Sequence, residues 1–431
     1  MRTTLSGEDL RRVDAELSDT DSFLERTYPG ERDGRQPVHT VYVPADRYNA
    51  DLPAQWAAQA LRAVAEHGGI ETVCAEIGVP AALAAQIGPR VLAKLEREPI
   101  EDLRIDFEDG YGTRGDDAED AEVERATGQL REAIEAGTAT PFFGLRFKCL
   151  EAPTRRRGLR TLDGFLTALA HRGELPDGLV VTLPKVSTVS QVEAMVGVCE
   201  RLETALGLPS GRIGFEIQVE TPQLVLAADG TIPVARALHA GAGRVTSLHY
   251  GTYDYSASMG VAAEHQSMEH PVADQAKALM QLAVAGTGVH LSDGSTNVLP
   301  VGEPGHVIDA WRLHHRLVSR SLAHGIYQGW DLHPAQLPTR YLATFGFYRG
   351  GFARAAQRLH AYVHKSGGGV LDEPATARAL ARYLHRGYAC GALDEMELRE
   401  ATGLDPAGLA LLARPKSDTE SVLPLSGSTD E

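Results

Sequence analysis

Five stretches of this chain end in the same way: a short apolar run gives out into charged or polar residues just before a helix-like segment. They are Asp106-Phe107-Glu108-Asp109-Gly110, Arg146 within Gly144-Leu145-Arg146-Phe147-Lys148, Leu183-Pro184-Lys185-Val186, Gln218-Val219-Glu220-Thr221 and Gly251-Thr252-Tyr253-Asp254. A (β/α)8 barrel places its chemistry like this, at the carboxyl ends of parallel strands. The pattern predicts an α/β chain folded as a TIM barrel, and a metal-dependent enzyme.

Strands are predicted at 39–44, 103–107, 142–147, 179–183, 213–219 and 245–250, with two short ones near 289–291 and 326–332. Segments with helical periodicity separate them, among them 55–67, 81–98, 116–136, 161–171, 189–206 and 306–324. No Gly-x-Gly-x-x-Gly turn follows the first strand, which speaks against an open doubly wound sheet. The chain has 431 residues, more than the roughly 250 of one barrel, so terminal additions are expected. The predicted organisation is an N-terminal extension over 1–36 with a short helix or two, a catalytic barrel over 37–350, a helical extension over 351–415 and a disordered tail over 416–431.

A formal net charge of -16 argues against nonspecific nucleic-acid binding and against docking to an anionic membrane, since both need positive patches. Cys74, Cys149, Cys199 and Cys390 form no Cys-x-x-Cys pair and are expected to be buried thiols. The first residues lack the apolar core of a signal peptide and no apolar stretch approaches a membrane span, so a cytoplasmic location is expected.

Glu220 and Asp254 close neighbouring predicted strands, so their carboxylates can converge on one cation at the barrel mouth. Hard oxygen ligands left open to water suit Mg2+ or Mn2+. Asp106, Glu108 and Asp109 are candidates to hold metal-bound waters, whereas the run Asp116-Asp117-Ala118-Glu119-Asp120 reads as a solvated helix start. Arg146 ends an apolar strand, where a guanidinium can clamp a carboxylate or steady an enolate oxygen; the competing reading is an ion pair with Glu108 or Asp109. Lys185 is a candidate for a similar role, with solvation or pairing as the alternative, and Lys148 is a weaker one. Arg155-Arg156-Arg157 reads either as a phosphate contact or as a solvated loop.

Read together, the Asp-x-Glu-Asp-Gly at strand two, the arginine ending strand three, the Leu-Pro-Lys-Val at strand four, Glu220 on strand five and Gly251-x-x-Asp254-x-x-x-x-x-Gly260 at strand six resemble the citrate lyase beta-subunit-like branch of the HpcH/HpaI aldolase superfamily. His333-Pro334-Ala335-Gln336 resembles that branch's His-Pro-x-Gln element, and the likeness runs in order over residues 38–345. It implies a TIM barrel of the phosphoenolpyruvate/pyruvate-binding type and a magnesium-dependent carbon–carbon lyase, or its condensing reverse. Carried over residue by residue, it implies Glu220 and Asp254 as metal ligands, Arg146 on the substrate carboxylate or enolate, and Glu108 and Asp109 behind metal-bound waters. Lys185 would assist the chemistry, and Gly251 and Thr252 would contact substrate.

The resemblance further implies a small 2-oxo or hydroxy acid as substrate, with a coenzyme A thioester as the other option, and a homo-oligomer, since related barrels form trimers or hexamers. Gly110 and Tyr111 stand where the pyruvate-aldolase branch carries a histidine, which leaves the acid–base group open among His249, Asp331 and His333. Two other readings stand beside the lyase. One is a malate-synthase-like condensing enzyme or thioesterase acting on an acyl-CoA, and the other is a non-catalytic barrel serving as a binding subunit.

Overall fold

In the computed structural model, which describes residues 3–32, 34–364 and 373–414, eight parallel strands follow one another around a barrel. They are β1 (His39–Pro44), β2 (Asp102–Asp106), β3 (Phe142–Arg146), β4 (Val181–Leu183), β5 (Phe215–Val219), β6 (Val245–Tyr250), β7 (His290–Ser292) and β8 (Gly329–Asp331). From β1 to β7 each strand pairs with the next, and β8 pairs with β1. The last seam, between β7 and β8, is closed by the Ser292–Gln328 bridge and by the Asp293 N–H donating to the Gln328 carbonyl at 2.9 Å. Helices connect the strands, as parallel pairing requires. Ile70–Glu76, between β1 and β2, is not among the predicted helices, nor is Pro406–Leu412 in the extension, and the helix after β3 starts at Arg155 rather than near 161.

Alternation along the strands sorts the side chains. Leu103, Ile105, Leu145, Ile217 and Val219 are fully or almost fully buried and belong to the main apolar cluster that also holds residues of the surrounding helices. Their sequence neighbours face a lumen that is polar. Tyr42 on β1 donates to Glu216 on β5 at 2.9 Å, and Arg104 on β2 donates to Thr182 on β4 at 3.2 Å and to Glu216 at 2.7 Å. Bonds between strands that are not neighbours can only cross the interior. β5 contributes Glu216, Gln218 and Glu220 at every second residue, a column rising from the base of the barrel to its mouth.

The β8–β1 seam carries a second buried network. Asp331 accepts from His39 at 2.8 Å, from His314 at 3.0 Å and from Arg340 at 2.8 Å. Burial alone would raise its carboxyl, but Arg340 and the two imidazoles hold it well below the usual range.

The terminal extensions differ in how they meet the barrel. The helix Gly7–Thr27, opened by a Ser6–Asp9 capping box, is one long helix rather than a short one or two, and none of its residues is buried. The helix Leu337–Val363 runs unbroken through position 350, so the expected boundary between barrel and extension falls inside a helix. Its Tyr341 hydroxyl donates to the Pro99 carbonyl at 3.0 Å, just ahead of β2, and thereby fastens the extension to the amino-terminal end of the barrel. Leu359, Val363, Leu384, Leu398, Leu409 and Leu412 form a separate small core within the extension. The Gly367-Gly368-Gly369 break and the 416–431 tail lie outside the described residues. All four cysteines are buried and free, and among the described residues no helix is long and apolar enough to cross a membrane.

Removing one partner of a buried ion pair strands the other in a medium that solvates it poorly. Asp331→Ala is therefore expected to cost about 3–5 kcal/mol of stability, read as a lower urea midpoint with unchanged slope; a midpoint within error of the parent would show that the seam does not depend on this carboxylate.

Candidate active site at the carboxyl ends of the strands

The mouth of the barrel is organised by Asp106. Its Oδ1 accepts the Glu108 N–H and its Oδ2 the Gly110 N–H, both at 2.9 Å, so the Asp-x-Glu-Asp-Gly loop winds around a single carboxylate. A Cβ at position 110 would sit 2.6 Å from Asp106 Oδ2, which accounts for the glycine. The other face of the same carboxylate takes Arg146 in a fork, Nε to Oδ1 and Nη2 to Oδ2, each at 2.7 Å. The expected ion pair of Arg146 with Glu108 is present, at 3.4 Å from Nη1, but the main partner is Asp106, which the expectation did not name. Nη1 also reaches Gln218 Oε1 at 3.4 Å, and the guanidinium carbon stands 4.8 Å from the centroid of the Tyr42 ring. Two of the three guanidinium nitrogens are tightly held and Nη1 is held loosely.

Lys185 is the hub of the remaining charges. Its ammonium is 2.6 Å from Glu108 Oε1, 2.6 Å from Asp109 Oδ2 and 3.3 Å from Asp254 Oδ2, while its backbone N–H donates to Glu220 Oε2 at 3.3 Å. It therefore touches loops after β2, β4, β5 and β6. The residue sits at φ 48°, a left-handed conformation that costs a non-glycine residue about 1 kcal/mol or more and is kept where the surroundings demand it. Burial opposes its charge, but Glu108, Glu220 and Asp109 outweigh that and raise its pKa, so the ammonium stays protonated. Against its own burial, Asp109 is held below the usual carboxylate range by Lys185, while burial raises Glu108 with Asp109 adding to the push.

Glu220 is only 2% exposed, and among the described residues the one hydrogen bond to its carboxylate is the long one from Lys185. Burial pushes its carboxyl up to about 8; Glu108 and Asp254 add to the rise, and Arg146 and Lys185 oppose it. Gly251 makes room for it, because a Cβ there would meet Glu220 Cγ at 2.2 Å. Thr252 is buried at the head of the helix Thr252–Ser258, and its hydroxyl has no hydrogen-bond partner among the described residues. Asp254 lies on that helix rather than on the strand end, with 46% of its side chain exposed.

Glu108, Asp109, Glu220 and Asp254 thus face one lysine, with Arg146 already matched by Asp106. Among the described residues no group of three or more His, Cys, Asp and Glu side chains is arranged by itself to hold a metal ion, and the Lys185 ammonium bridges three of these carboxylates instead. The donor chemistry nevertheless fits a hard divalent cation: all the donors are carboxylate oxygens, their charge exceeds that of the local cations, and among the described residues the buried Glu220 has no ion-pair partner within 4 Å.

The remaining candidates divide clearly. His249 is in the lumen below the site, where its Nδ1 accepts from Trp330 at 3.1 Å, and burial lowers it to about 4, so it stands neutral. Asp331 belongs to the β8–β1 seam, and His333 caps the turn that follows by accepting the Ala335 N–H at 3.1 Å. Arg155 donates to the Leu150 carbonyl, and Arg157 pairs with Asp120 at 2.7 Å. The solvated reading of the acidic run fails at Glu119, which is fully buried and holds Lys148 at 2.7 Å. Sequence reasoning passed over Gln218 and Tyr42, which flank Arg146. The signal for Gln218 was present: polar residues at every second position of β2 and β5 mark an inward face.

The chain belongs to the family described as a domain of unknown function, DUF6986, whose model matches residues 17–417. No curated protein matches it. Among solved structures, a magnesium/glyoxylate complex of Haloferax volcanii malate synthase is similar at 14% identity and TM-score 0.48, over 89% of this chain and 99% of that one. The protein CitE from Mycobacterium tuberculosis, in complex with magnesium, acetoacetate and coenzyme A, is similar at 16% identity and TM-score 0.46, over 81% and 98%. An HpcH/HpaI aldolase/citrate lyase family protein from Burkholderia cenocepacia is similar at 15% identity and TM-score 0.40, over 73% and 93%. Likeness at this level concerns the path of the chain, and the chemistry of the site rests on this chain's own residues.

The raised carboxyl of Glu220 has a consequence for stability. The fold prefers its neutral form, so this contribution is present below the ordinary value of 4.5 and is lost as pH rises through about 8. In metal-free buffer the melting temperature is expected to fall between about pH 5 and pH 9, and Glu220→Gln is expected to flatten that fall. A parallel fall in the variant would assign the dependence to other groups.

Proposed function

We propose that this protein is a divalent-metal-dependent carbon–carbon lyase that acts on a small 2-oxo or hydroxy carboxylic acid through an enolate. The observation that carries the reading is the juxtaposition, at the carboxyl ends of the strands, of an Arg146 anchored by Asp106 with a surplus of carboxylates around Lys185. Glu220 and Asp254 would hold Mg2+ or Mn2+, with Glu108 and Asp109 behind them. Such a cation supplies Lewis-acid stabilisation of negative charge on a substrate oxygen.

The protein's own groups account for the rest. Cleaving a carbon–carbon bond beside a carbonyl leaves its electron pair as an enolate, and the product forms when that carbon takes up a proton. Arg146 is suited to the anionic oxygen, because Asp106 fixes the guanidinium plane and leaves Nη1 loosely engaged toward the site. Its burial makes each hydrogen bond to a charged oxygen stronger than it would be in water. Gly251 and Thr252 lie beside Glu220, where a substrate carboxylate could meet the unpartnered Thr252 hydroxyl. Lys185 keeps the carboxylates of three loops together and stays charged throughout. His249, neutral and wholly buried, is an unsuitable proton donor, so we assign the proton to solvent entering at the exposed Asp254 side.

A free acid is the preferred substrate over a coenzyme A thioester, since in the Arg155–Arg157 triplet, the candidate contact for its phosphates, Arg155 and Arg157 are engaged within the protein. A homo-oligomer and a cytoplasmic location remain part of the proposal.

Titration calorimetry with Mg2+ or Mn2+ in the presence of pyruvate, oxaloacetate or glyoxylate tests the reading. The oxo acid is expected to bind only with the metal, Glu220→Ala and Asp254→Ala are expected to abolish that binding, and Arg146→Lys is expected to weaken it about tenfold or more while sparing the metal. Binding that is unchanged in the two carboxylate variants would sink the metal assignment. Turnover of glyoxylate with an acetyl thioester, and not of oxo acids alone, would move the protein to the condensing class.

A further inference from the structure

The opposite end of the barrel carries a cleft of the opposite charge. It opens where the segment before β1, the starts of β7 and β8, and the helix Pro374–Ala389 of the extension meet, with a volume of about 260 Å³ in one lobe and about 410 Å³ in a neighbouring one. Arg32, Arg382 and Arg386 line it, and Glu31 is the one carboxylate among its described lining residues. In a protein of net charge -16 this concentration of guanidiniums is not what composition would place there.

The geometry within the cleft is that of an anion site with a tethered occupant. Arg382 and Arg386 lie one turn apart on the helix, and both reach the same Glu31 oxygen, Nε of Arg382 at 2.8 Å and Nη2 of Arg386 at 3.0 Å. The Arg382 Nε is buried, yet it lacks the alignment of a hydrogen bond to that oxygen. Arg386 lies flat enough against Tyr327 to place its guanidinium carbon 4.1 Å from the ring centroid, which fixes the plane of the fork. Arg32 spends one nitrogen on the Gly243 and Val245 carbonyls rather than on an acid. The resulting field is felt by His290 at the start of β7, which burial, together with Arg386 and Arg32, drives down to about 4.

We propose that this cleft binds a small phosphate-bearing anion, which takes the place of the Glu31 carboxylate between Arg382 and Arg386 and pins the helical extension to the amino-terminal face of the barrel. Paired guanidinium forks match phosphate oxygens, and a partly enclosed site of excess positive charge concentrates anions. The amino-terminal face of such barrels ordinarily serves stability rather than chemistry, so a ligand here would act on how firmly the extension is docked. The inference rests on the cleft alone and stands independently of the lyase reading.

Thermal melts and calorimetry on the full chain, with inorganic phosphate titrated against chloride at equal ionic strength, test the proposal; glycerol phosphate in a second arm separates free phosphate from a phosphate ester. Saturating phosphate is expected to raise the melting temperature by about 2 °C or more. Glu31→Gln, which removes the competing carboxylate, is expected to tighten phosphate binding about threefold or more, and the double variant Arg382→Gln, Arg386→Gln is expected to abolish it with far-UV circular dichroism unchanged. The proposal is overturned if phosphate does no more than chloride, if Glu31→Gln binds no tighter, or if the double variant binds as the parent does. Because Glu31→Gln predicts a gain, a misfolded double variant still leaves the question decidable.

Discussion

The fork between Asp106 and Arg146 is the contact on which the rest of the barrel mouth depends. A guanidinium buried at the mouth of a barrel is tolerable only if its charge is matched and its donors are used. Asp106 does both, and its remaining acceptor capacity shapes the loop that carries Glu108 and Asp109. One carboxylate thereby sets the direction of the arginine and the position of two acids. Lys185 then ties those acids to Asp254 and, through its backbone, to Glu220.

Below that layer the same logic repeats. Arg104 is matched by Asp102 and Glu216, and Tyr42, Thr182 and Trp330 fill the spaces between charged groups. A lumen built in this way is less forgiving than an aliphatic one, since each missing partner strands another polar group. It also stiffens the platform on which the mouth residues stand. The apolar contribution to stability comes mainly from outside the barrel, where Ile105, Leu145, Ile217 and their like meet the helices.

Much of this was legible in the chain. β1 and β6 fall where β-branched and aromatic runs placed them, and the helix Val189–Leu206 coincides with its predicted span. That Arg146, Lys185, Glu220 and Asp254 gather at one end of the barrel was legible because strand ends in a parallel barrel all face one way. The errors have physical causes. The helix Gly7–Thr27 was read as short because its acids obscure an apolar stripe that includes Leu10, Val13, Leu17 and Leu24. Glu119 was read as solvated because charge runs usually are, and its partner Lys148 lies 29 positions away. His249 drew attention as a proton carrier because it stands just before the Gly251–Asp254 motif; it shares the inward face with Gly251 but lies a layer deeper, in the lumen beside Trp330 and Glu216.

The sequence by itself determined the barrel, its order of strands and the identity of the acids and bases at its mouth, because each follows from local patterning with a period of two or of 3.6 residues. Only the tertiary structure decided which charges meet. That Arg146 forks onto Asp106 and meets Glu108 only at longer range, that one lysine gathers carboxylates from three other loops, and that Arg382 and Arg386 converge on Glu31 across some 350 residues depend on distances between segments remote in the chain. Pairing energies fall off within a few ångströms, and no one-dimensional pattern records such proximity.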